Sequence, residues 1–190
     1  MGIASTLFRF QVEFADIDRS IYETLDLRAA QHPSEDDERL IVRVLARIIA
    51  HEEGLQFGRG LSNPEDAGIW SHTLTGEIGT WIDVGLPSAE RLHRASKGAE
   101  RVLVFTHKSG TALRKEWRTR RIHRAESILV YRLPVDLVER LAQSIARKTS
   151  WHVTIMDGQL SVLVDGNTVE GSVEEIGLAA LLLQPAEPAG

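Results

Sequence analysis

The 190-residue chain has no cysteine, which excludes disulfide bonds, thiolate zinc sites and cysteine nucleophiles and is typical of a reducing compartment. Because 43% of its residues are hydrophobic, it can bury one substantial core, and we expect a single domain over residues 1–183 with a disordered tail over 184–190. The formal net charge of -5 argues against a protein that coats nucleic acid generally, although a local basic groove stays compatible with it.

Membrane insertion is not expected. The longest apolar run, residues 176–183, is too short to span a bilayer. No secretory leader opens the chain, so we expect a cytoplasmic protein.

The chain begins with strands. Residues 6–14 alternate polar and apolar side chains, with Phe8, Phe10, Val12 and Phe14 on the inner face, and residues 24–30 alternate again. This pattern predicts a half-buried hairpin.

A helix follows, with Ser34 as the predicted N-cap and apolar residues at helical spacing over 40–49. Glu38 falls toward the apolar side of this helix rather than opposite it. Two interpretations of Glu38 stay open: interaction with the helix dipole, or a position facing a site, where it would be a candidate catalytic residue.

The middle of the chain predicts a short strand near Phe57, a strand near Trp70, a strand over 81–85, a helix over 88–98 and a buried strand over 102–105. A basic helical stretch, a strand, a helix after Pro134 and three further strands complete the order. Two Asp-Gly pairs, at 157–158 and 165–166, mark hairpin turns. The expected fold is mixed α/β, of the α+β class.

Asp83 is the unusual residue of this middle region, because it lies within the apolar strand Trp81-Ile82-Asp83-Val84. Burying a carboxylate costs several kcal/mol (about 2–7 for a neutral polar group, more for a charge) unless a metal, a cation or donors meet it. The sequence leaves two interpretations open: a metal or phosphate site, or a buried pair with Arg91 or Arg59. Asp66, favoured over Glu65, is the second candidate acid.

Basic residues are concentrated between positions 114 and 124. We predict nucleic-acid contacts from Arg114, Lys115, Arg118 and Arg121, against the alternative of a solvated helix face. DNA or RNA is thus the expected partner, and the sequence identifies no protein partner.

Several blocks of residues together resemble the YaeQ family of bacterial proteins. They are Asp16-x-Asp18-Arg19, His32-Pro33-Ser34-Glu35 with Glu38-Arg39, Phe57-x-Arg59-Gly60-Leu61, Trp70, Trp81-Ile82-Asp83-x-Gly85-x-Pro87 with Arg91, and Trp151 with Asp157-Gly158. The order helix, three strands, helix, strand is also similar to the α-β-β-β-α-β core of the PD-(D/E)XK nuclease-like superfamily. The resemblance implies this core with additional N- and C-terminal strands.

The resemblance implies a divalent-metal site in which Asp66 and Asp83 bind Mg2+ or Mn2+ and Glu38 holds a second metal or positions water. Hard oxygen ligands suit magnesium, whose bound water becomes a nucleophile near neutral pH. Gly85, however, stands where the superfamily has a lysine. A cation from the following helix, Arg91 or else Arg94 or Lys97, would then clamp the phosphate.

Two functions follow from this resemblance. One is a metal-dependent phosphodiesterase of PD-(D/E)XK type that cleaves DNA or RNA, with Glu38, Asp66, Asp83 and Arg91 as catalytic residues. The alternative is a catalytically degenerate nuclease fold that binds nucleic acid or a protein without cleaving it.

Overall fold

A computed structural model describes residues 5–59, 63 and 65–185 of the chain. Within these ranges the chain forms eleven strands, five α-helices and one short 3-10 helix, Ala125–Ser127. The strands are β1 (Thr6–Asp16), β2 (Ile21–Gln31), β3 (Gln56–Phe57), β4 (Ile69–His72), β5 (Ile78–Val84), β6 (Ala99–Thr106), β7 (Leu129–Arg132), β8 (Lys148–Met156), β9 (Gln159–Val164), β10 (Asn167–Ser172) and β11 (Glu174–Gly177). The helices are α1 (Asp37–Ile49), α2 (Ala89–Gly98), α3 (Gly110–Trp117), α4 (Val135–Gln143) and α5 (Leu178–Leu183).

The strands form two mixed sheets, which confirms the predicted α+β class. The five-stranded sheet has the order β10-β9-β8-β1-β2, in which only the β1–β8 pair is parallel. Its tight turns follow from the Asp-Gly pairs, since Asp157 and Asp165 both have positive φ angles, as hairpin turns of this kind require. The alternation that predicted β1 holds, because the four aromatic and aliphatic residues of its inner face are buried.

The six-stranded sheet has the order β11-β7-β6-β5-β4-β3 and positions the candidate site. β5, β6 and β7 run parallel, while β3, β4 and β5 form an antiparallel meander. The segments α1, β3, β4, β5, α2 and β6 follow one another in the predicted order.

Two hydrophobic cores lie on the two faces of the six-stranded sheet. On one face, α1 and α4 pack between this sheet and the five-stranded sheet. On the other face, α2, α3 and α5 cover Trp81, Val104 and Val130. The molecule is therefore layered as sheet, helices, sheet, helices.

The start of α1 corrects the predicted cap. Asp36, not Ser34, is the N-cap, and its side chain accepts a hydrogen bond from the backbone N–H of Arg39 at 2.7 Å. Ser34 instead contacts the ring of His32. The cap lies two residues later than predicted because the Asp36 carboxylate reaches the free N–H groups of the first turn, where its negative charge also interacts favourably with the helix dipole.

The sequence pattern did not predict β11 and α5; the apolar run over residues 176–183 forms α5 and only the last two residues of β11. β11 pairs with β7, and α5 buries Leu178 and Leu181 against the core beside α3. In the part of the chain that the structure describes, no helix combines the length and apolarity needed to cross a membrane. Residues 186–190, most of the expected tail, lie outside the described residues.

Candidate functional site

Asp83 is buried on β5, and Arg91 in the first turn of α2 binds both of its carboxylate oxygens. The guanidinium Nε and Nη2 donate to the two oxygens at 2.9 and 2.7 Å. The Asp83 side chain is only 4% exposed and that of Arg91 22%. The arginine lies over the Trp81 ring, 5.2 Å from its centroid. The sequence left open a metal or phosphate site or a buried ion pair for Asp83, and this geometry corresponds to the buried ion pair.

Asp66 is also buried and is also paired. Its carboxylate accepts hydrogen bonds from Arg59 Nε at 2.7 Å and from the Asn63 side chain at 2.8 Å. Arg91 Nη2 donates to the backbone carbonyl of Asp66 at 2.6 Å, which joins the two acids through one guanidinium. The neighbouring Glu65 is exposed and pairs with Arg94, so Asp66 is the acid that points inward.

Glu38 does not join this pair. Its carboxylate lies 3.1 Å from Nε2 of His107, just after β6, and the ammonium of Lys108 lies 3.2 Å from the same nitrogen. Burial, followed by the charge of Lys108, lowers the pKa of His107. The Nδ1 atom of His107 is buried and has no hydrogen-bond partner within the described chain. His107 is thus a buried histidine directly after β6, a position that no pattern in the sequence indicated.

The expected convergence of Glu38, Asp66 and Asp83 around a metal ion is not found. Over residues 5–59, 63 and 65–185, no group of three or more acidic, histidine or cysteine side chains could hold a metal. Asp66 and Asp83 instead pair with Arg59 and Arg91, respectively.

Gly85, which stands at the position of the superfamily lysine, is constrained by its surroundings. Its φ angle is +85°, in the region that glycine favours. A Cβ atom at this position would lie 2.9 Å from Nη1 of Arg39, which itself donates to the backbone carbonyl of Val84. A side chain at position 85 would therefore be strained and would collide with a guanidinium from α1.

The predicted basic stretch divides into buried and exposed residues. Arg114 is 4% exposed, so it cannot belong to the surface on which we placed it with Arg118 and Arg121. Trp117 is fully buried and donates from its indole nitrogen to the carbonyl of Pro87 at 2.8 Å. Lys115 is exposed on α3. A helix of this length alternates between core and solvent, which separates neighbouring cations.

Of the predicted residues, Arg118 and Arg121 line an open groove of about 830 Å³ between α2, the segment after α3, and α5, which we call the basic groove; Lys115 is not part of its lining. The groove is lined by five cationic residues and one acid, Glu126. The cationic residues are Lys97, Arg118, Arg120, Arg121 and Arg124. The imidazoles of His93 and His123 meet edge to face on its wall, 6.2 Å apart. Arg118 donates to the carbonyl of Leu182 in α5. The sequence did not predict the parts of this groove outside residues 114–124, because its walls come from three separate elements.

Proteins of one family are similar to this chain in both sequence and architecture. The YaeQ protein family model matches residues 1–173. Proteins named uncharacterized protein YaeQ are 30% identical in Escherichia coli K12 and 31% in Salmonella typhi, each over 90% of this chain and 94% of the relative. The crystal structure of YaeQ protein from Pseudomonas syringae is 31% identical with a TM-score of 0.83, over 90% of this chain and 96% of that one. The YaeQ protein structure from Xanthomonas axonopodis pv. citri is 33% identical with a TM-score of 0.82, over 90% and 97%. The chain therefore belongs to the YaeQ family.

Proposed function

We propose that this protein binds nucleic acid without cleaving it, through the basic groove. The observation that carries the proposal is the concentration of cations there on a chain whose formal net charge is -5. A phosphate backbone is the ligand that such a row of cations attracts, largely through the release of condensed counterions.

The groove retains cations that are free to meet phosphates. Within the described chain, Lys97 and Arg121 form no hydrogen bond or ion pair through their charged groups, whereas Arg120 lies 3.8 Å from Glu90. Unpaired cations lose no internal partner when they bind a ligand. They therefore favour binding over a structural role for these residues.

We further propose that the six-stranded sheet with α1 and α2 is a degenerate form of the PD-(D/E)XK core. The pairing of Asp83 and Asp66 with arginines and the closed position at Gly85 both support a loss of the metal site. A metal-dependent phosphodiesterase, with Mg2+ or Mn2+ on Asp66 and Asp83, would have to displace both guanidinium groups first. The groove requires no such rearrangement.

Fluorescence anisotropy with labelled single-stranded DNA, single-stranded RNA and duplex DNA tests the binding function. We expect binding that weakens steeply with salt. The double variant Lys97→Gln/Arg121→Gln should lower the slope of log K against log salt by about 1.4 on single strands or about 1.8 on duplex DNA.

The matched control is Arg28→Gln/Lys148→Gln, which removes the same charge from exposed positions on the five-stranded sheet. This control should retain the wild-type slope. An equal decrease of the slope in both double variants would show that net charge, and not the basic groove, determines binding, and would refute the proposed site. The absence of binding to all three nucleic acids at low salt would refute the proposal altogether. Binding to an acidic protein instead would also refute it.

A calorimetric titration with magnesium and with manganese tests the absence of a metal site. We expect wild type and Asp83→Asn to behave alike at millimolar metal. Binding that is present in the wild type and lost in Asp83→Asn, together with metal-dependent cleavage of a labelled strand, would restore the phosphodiesterase interpretation.

A further inference from the structure

A second cavity, of about 390 Å³, lies between the two sheets on the side of the molecule where α1 ends. α1 has 13 residues and is therefore about 20 Å long. Beyond its last turn the cavity is bounded by Ile49, Ala50 and His51. Its volume is within the range of about 300–1,000 Å³ that is typical of small-molecule sites.

The floor of this interlayer cavity is apolar and aromatic. Leu103 and Phe105 share one face of β6, and Tyr131 of β7 pairs in register with Phe105. The rings of Phe105 and Tyr131 stack with centroids 4.5 Å apart and planes 7° from parallel. Ile155 of the five-stranded sheet closes the opposite wall. This floor suits a flat hydrocarbon or aromatic group.

The rim of the cavity carries four carboxylates and two guanidinium groups, and both guanidinium groups are already paired. Arg19 donates to Asp16 at 2.6 Å and to the Ile49 carbonyl at 2.6 Å, which caps the end of α1. Arg101 is bound to Glu52, which also accepts from the Ser71 hydroxyl.

The other two carboxylates on the rim, Asp18 and Glu175, form no ion pair within the described chain. Asp18 accepts from two backbone N–H groups, at Asp157 and Gly158. Burial, followed by the interaction with Glu175, raises the pKa of Tyr131, which keeps its hydroxyl protonated near neutral pH.

Two further features leave the site negative. Burial, together with the charge of Arg47, lowers the pKa of His51, so its ring contributes no positive charge near neutral pH. The C-terminal end of α1 adds the negative end of a helix dipole to the same side of the cavity. A cation is therefore the charge that complements this rim.

We propose that the interlayer cavity binds an organic cation with an apolar or aromatic body. The body lies against Leu103, Phe105 and Tyr131, and the ammonium group meets Glu175 at the rim. This site is separate from the basic groove, which lies on the other side of the six-stranded sheet. The two sites therefore suit ligands of opposite charge.

A calorimetric titration of the 190-residue protein with 2-phenylethylamine tests the proposal, with 2-phenylethanol and 3-phenylpropionate as uncharged and anionic probes of the same ring. We expect the amine to bind at least about tenfold more tightly than either, since a hydrogen bond to a charged group contributes roughly that factor. Equal binding of the amine and the alcohol, or tighter binding of the acid, would overturn the assignment of a cation.

Two variants locate the binding. Glu175→Gln should weaken the amine about tenfold and leave the alcohol unchanged, whereas Glu174→Gln, which removes an adjacent carboxylate paired with Arg132, should affect neither. Val173→Trp, at a half-buried position on the cavity wall, should abolish binding of every probe. If the amine binds Val173→Trp as it binds the wild type, with circular dichroism showing both folded, the cavity is not the site and the proposal fails.

Discussion

Replacing Arg91 should destabilise the protein more than replacing its partner Asp83. Arg91→Gln removes two hydrogen bonds to the carboxylate, at 2.7 and 2.9 Å, and one to the Asp66 carbonyl at 2.6 Å. The carboxylate left behind is 4% exposed, so water cannot replace these donors without opening the structure. Asp83→Asn instead leaves the 22% exposed guanidinium, which can turn toward solvent.

The expected magnitudes follow from this asymmetry. Removing one partner of a buried ion pair costs about 3–5 kcal/mol, and the partial exposure of Arg91 puts the expected loss at the lower end, about 3 kcal/mol. For a domain of this size each kcal/mol lowers Tm by about 2–4 °C, so Arg91→Gln should melt about 6–12 °C lower. Asp83→Asn should cost about 1–2 kcal/mol, because the partly exposed arginine that remains can be hydrated.

Urea unfolding followed by circular dichroism measures both losses, and the double variant Asp83→Asn/Arg91→Gln completes the cycle. We expect the double variant to lose less free energy of unfolding than the two single losses combined, by about 1–3 kcal/mol, because no unpaired carboxylate remains. The reasoning is refuted if Arg91→Gln costs less than about 1 kcal/mol, or if Asp83→Asn costs as much as Arg91→Gln.

Three further predictions follow from other contacts. Trp117→Phe should lower the free energy of unfolding by about 1–3 kcal/mol beyond the loss of ring volume, because it leaves a buried carbonyl without a donor. The control Trp151→Phe loses no hydrogen bond, since that indole nitrogen has no partner in the described chain. Equal losses of unfolding free energy in urea for the two variants would contradict this account. A non-glycine residue in the left-handed conformation costs roughly 1–2 kcal/mol. Gly85→Ala should lower the free energy of unfolding by more than this amount, because its Cβ would also displace the Arg39 guanidinium. A loss of stability no larger than the backbone cost alone would show that Arg39 moves freely. Since burial lowers the pKa of His107, its contribution to stability is complete above about pH 6.5 and is lost as the pH falls through its folded-state pKa. Urea unfolding of His107→Gln should therefore show a flatter loss of stability below that pH than the wild type, and parallel curves would contradict the assignment.

The sequence predicted those parts of the fold whose signal is local. The alternation in β1 and the Asp-Gly turns each depend on a few consecutive residues, and the structure has both. α5 was missed because the run over residues 176–183 is apolar throughout, so it has no periodicity that distinguishes a strand from a helix; β11 shares only its last two residues with this run and is too short to give an alternation of its own. The N-cap of α5, Gly177, also lacks a capping side chain.

The candidate site was less predictable, because its geometry depends on contacts between elements. The apolar surroundings of Asp83 correctly indicated burial, but the pattern could not choose between a metal and an arginine as its partner. Glu38 lies near His107, 69 positions later on another element, and no spacing rule connects the two. The basic groove likewise draws Lys97 from α2 and Leu182 from α5, whereas only its central segment is continuous in sequence.

The buried acids of the described chain nevertheless share a feature that argues for a structural role at the site. Each of them pairs with an arginine no more than eight positions away. The pairs are Asp16–Arg19, Glu35–Arg43, Asp66–Arg59 and Asp83–Arg91. Two of these pairs involve neither Asp66 nor Asp83: Asp16–Arg19 lies at the β1–β2 turn, and Glu35–Arg43 joins the segment before α1 to α1 itself. Because an arginine pairs with each of the four carboxylates, the burial of Asp66 and Asp83 needs no metal to explain it.

Arginine is suited to this role, since its planar guanidinium remains charged and can bind both oxygens of a carboxylate at once. An acid in an apolar strand with an arginine within two helical turns should therefore be interpreted first as such a pair, and as a metal ligand only when a second unpaired acid lies beside it.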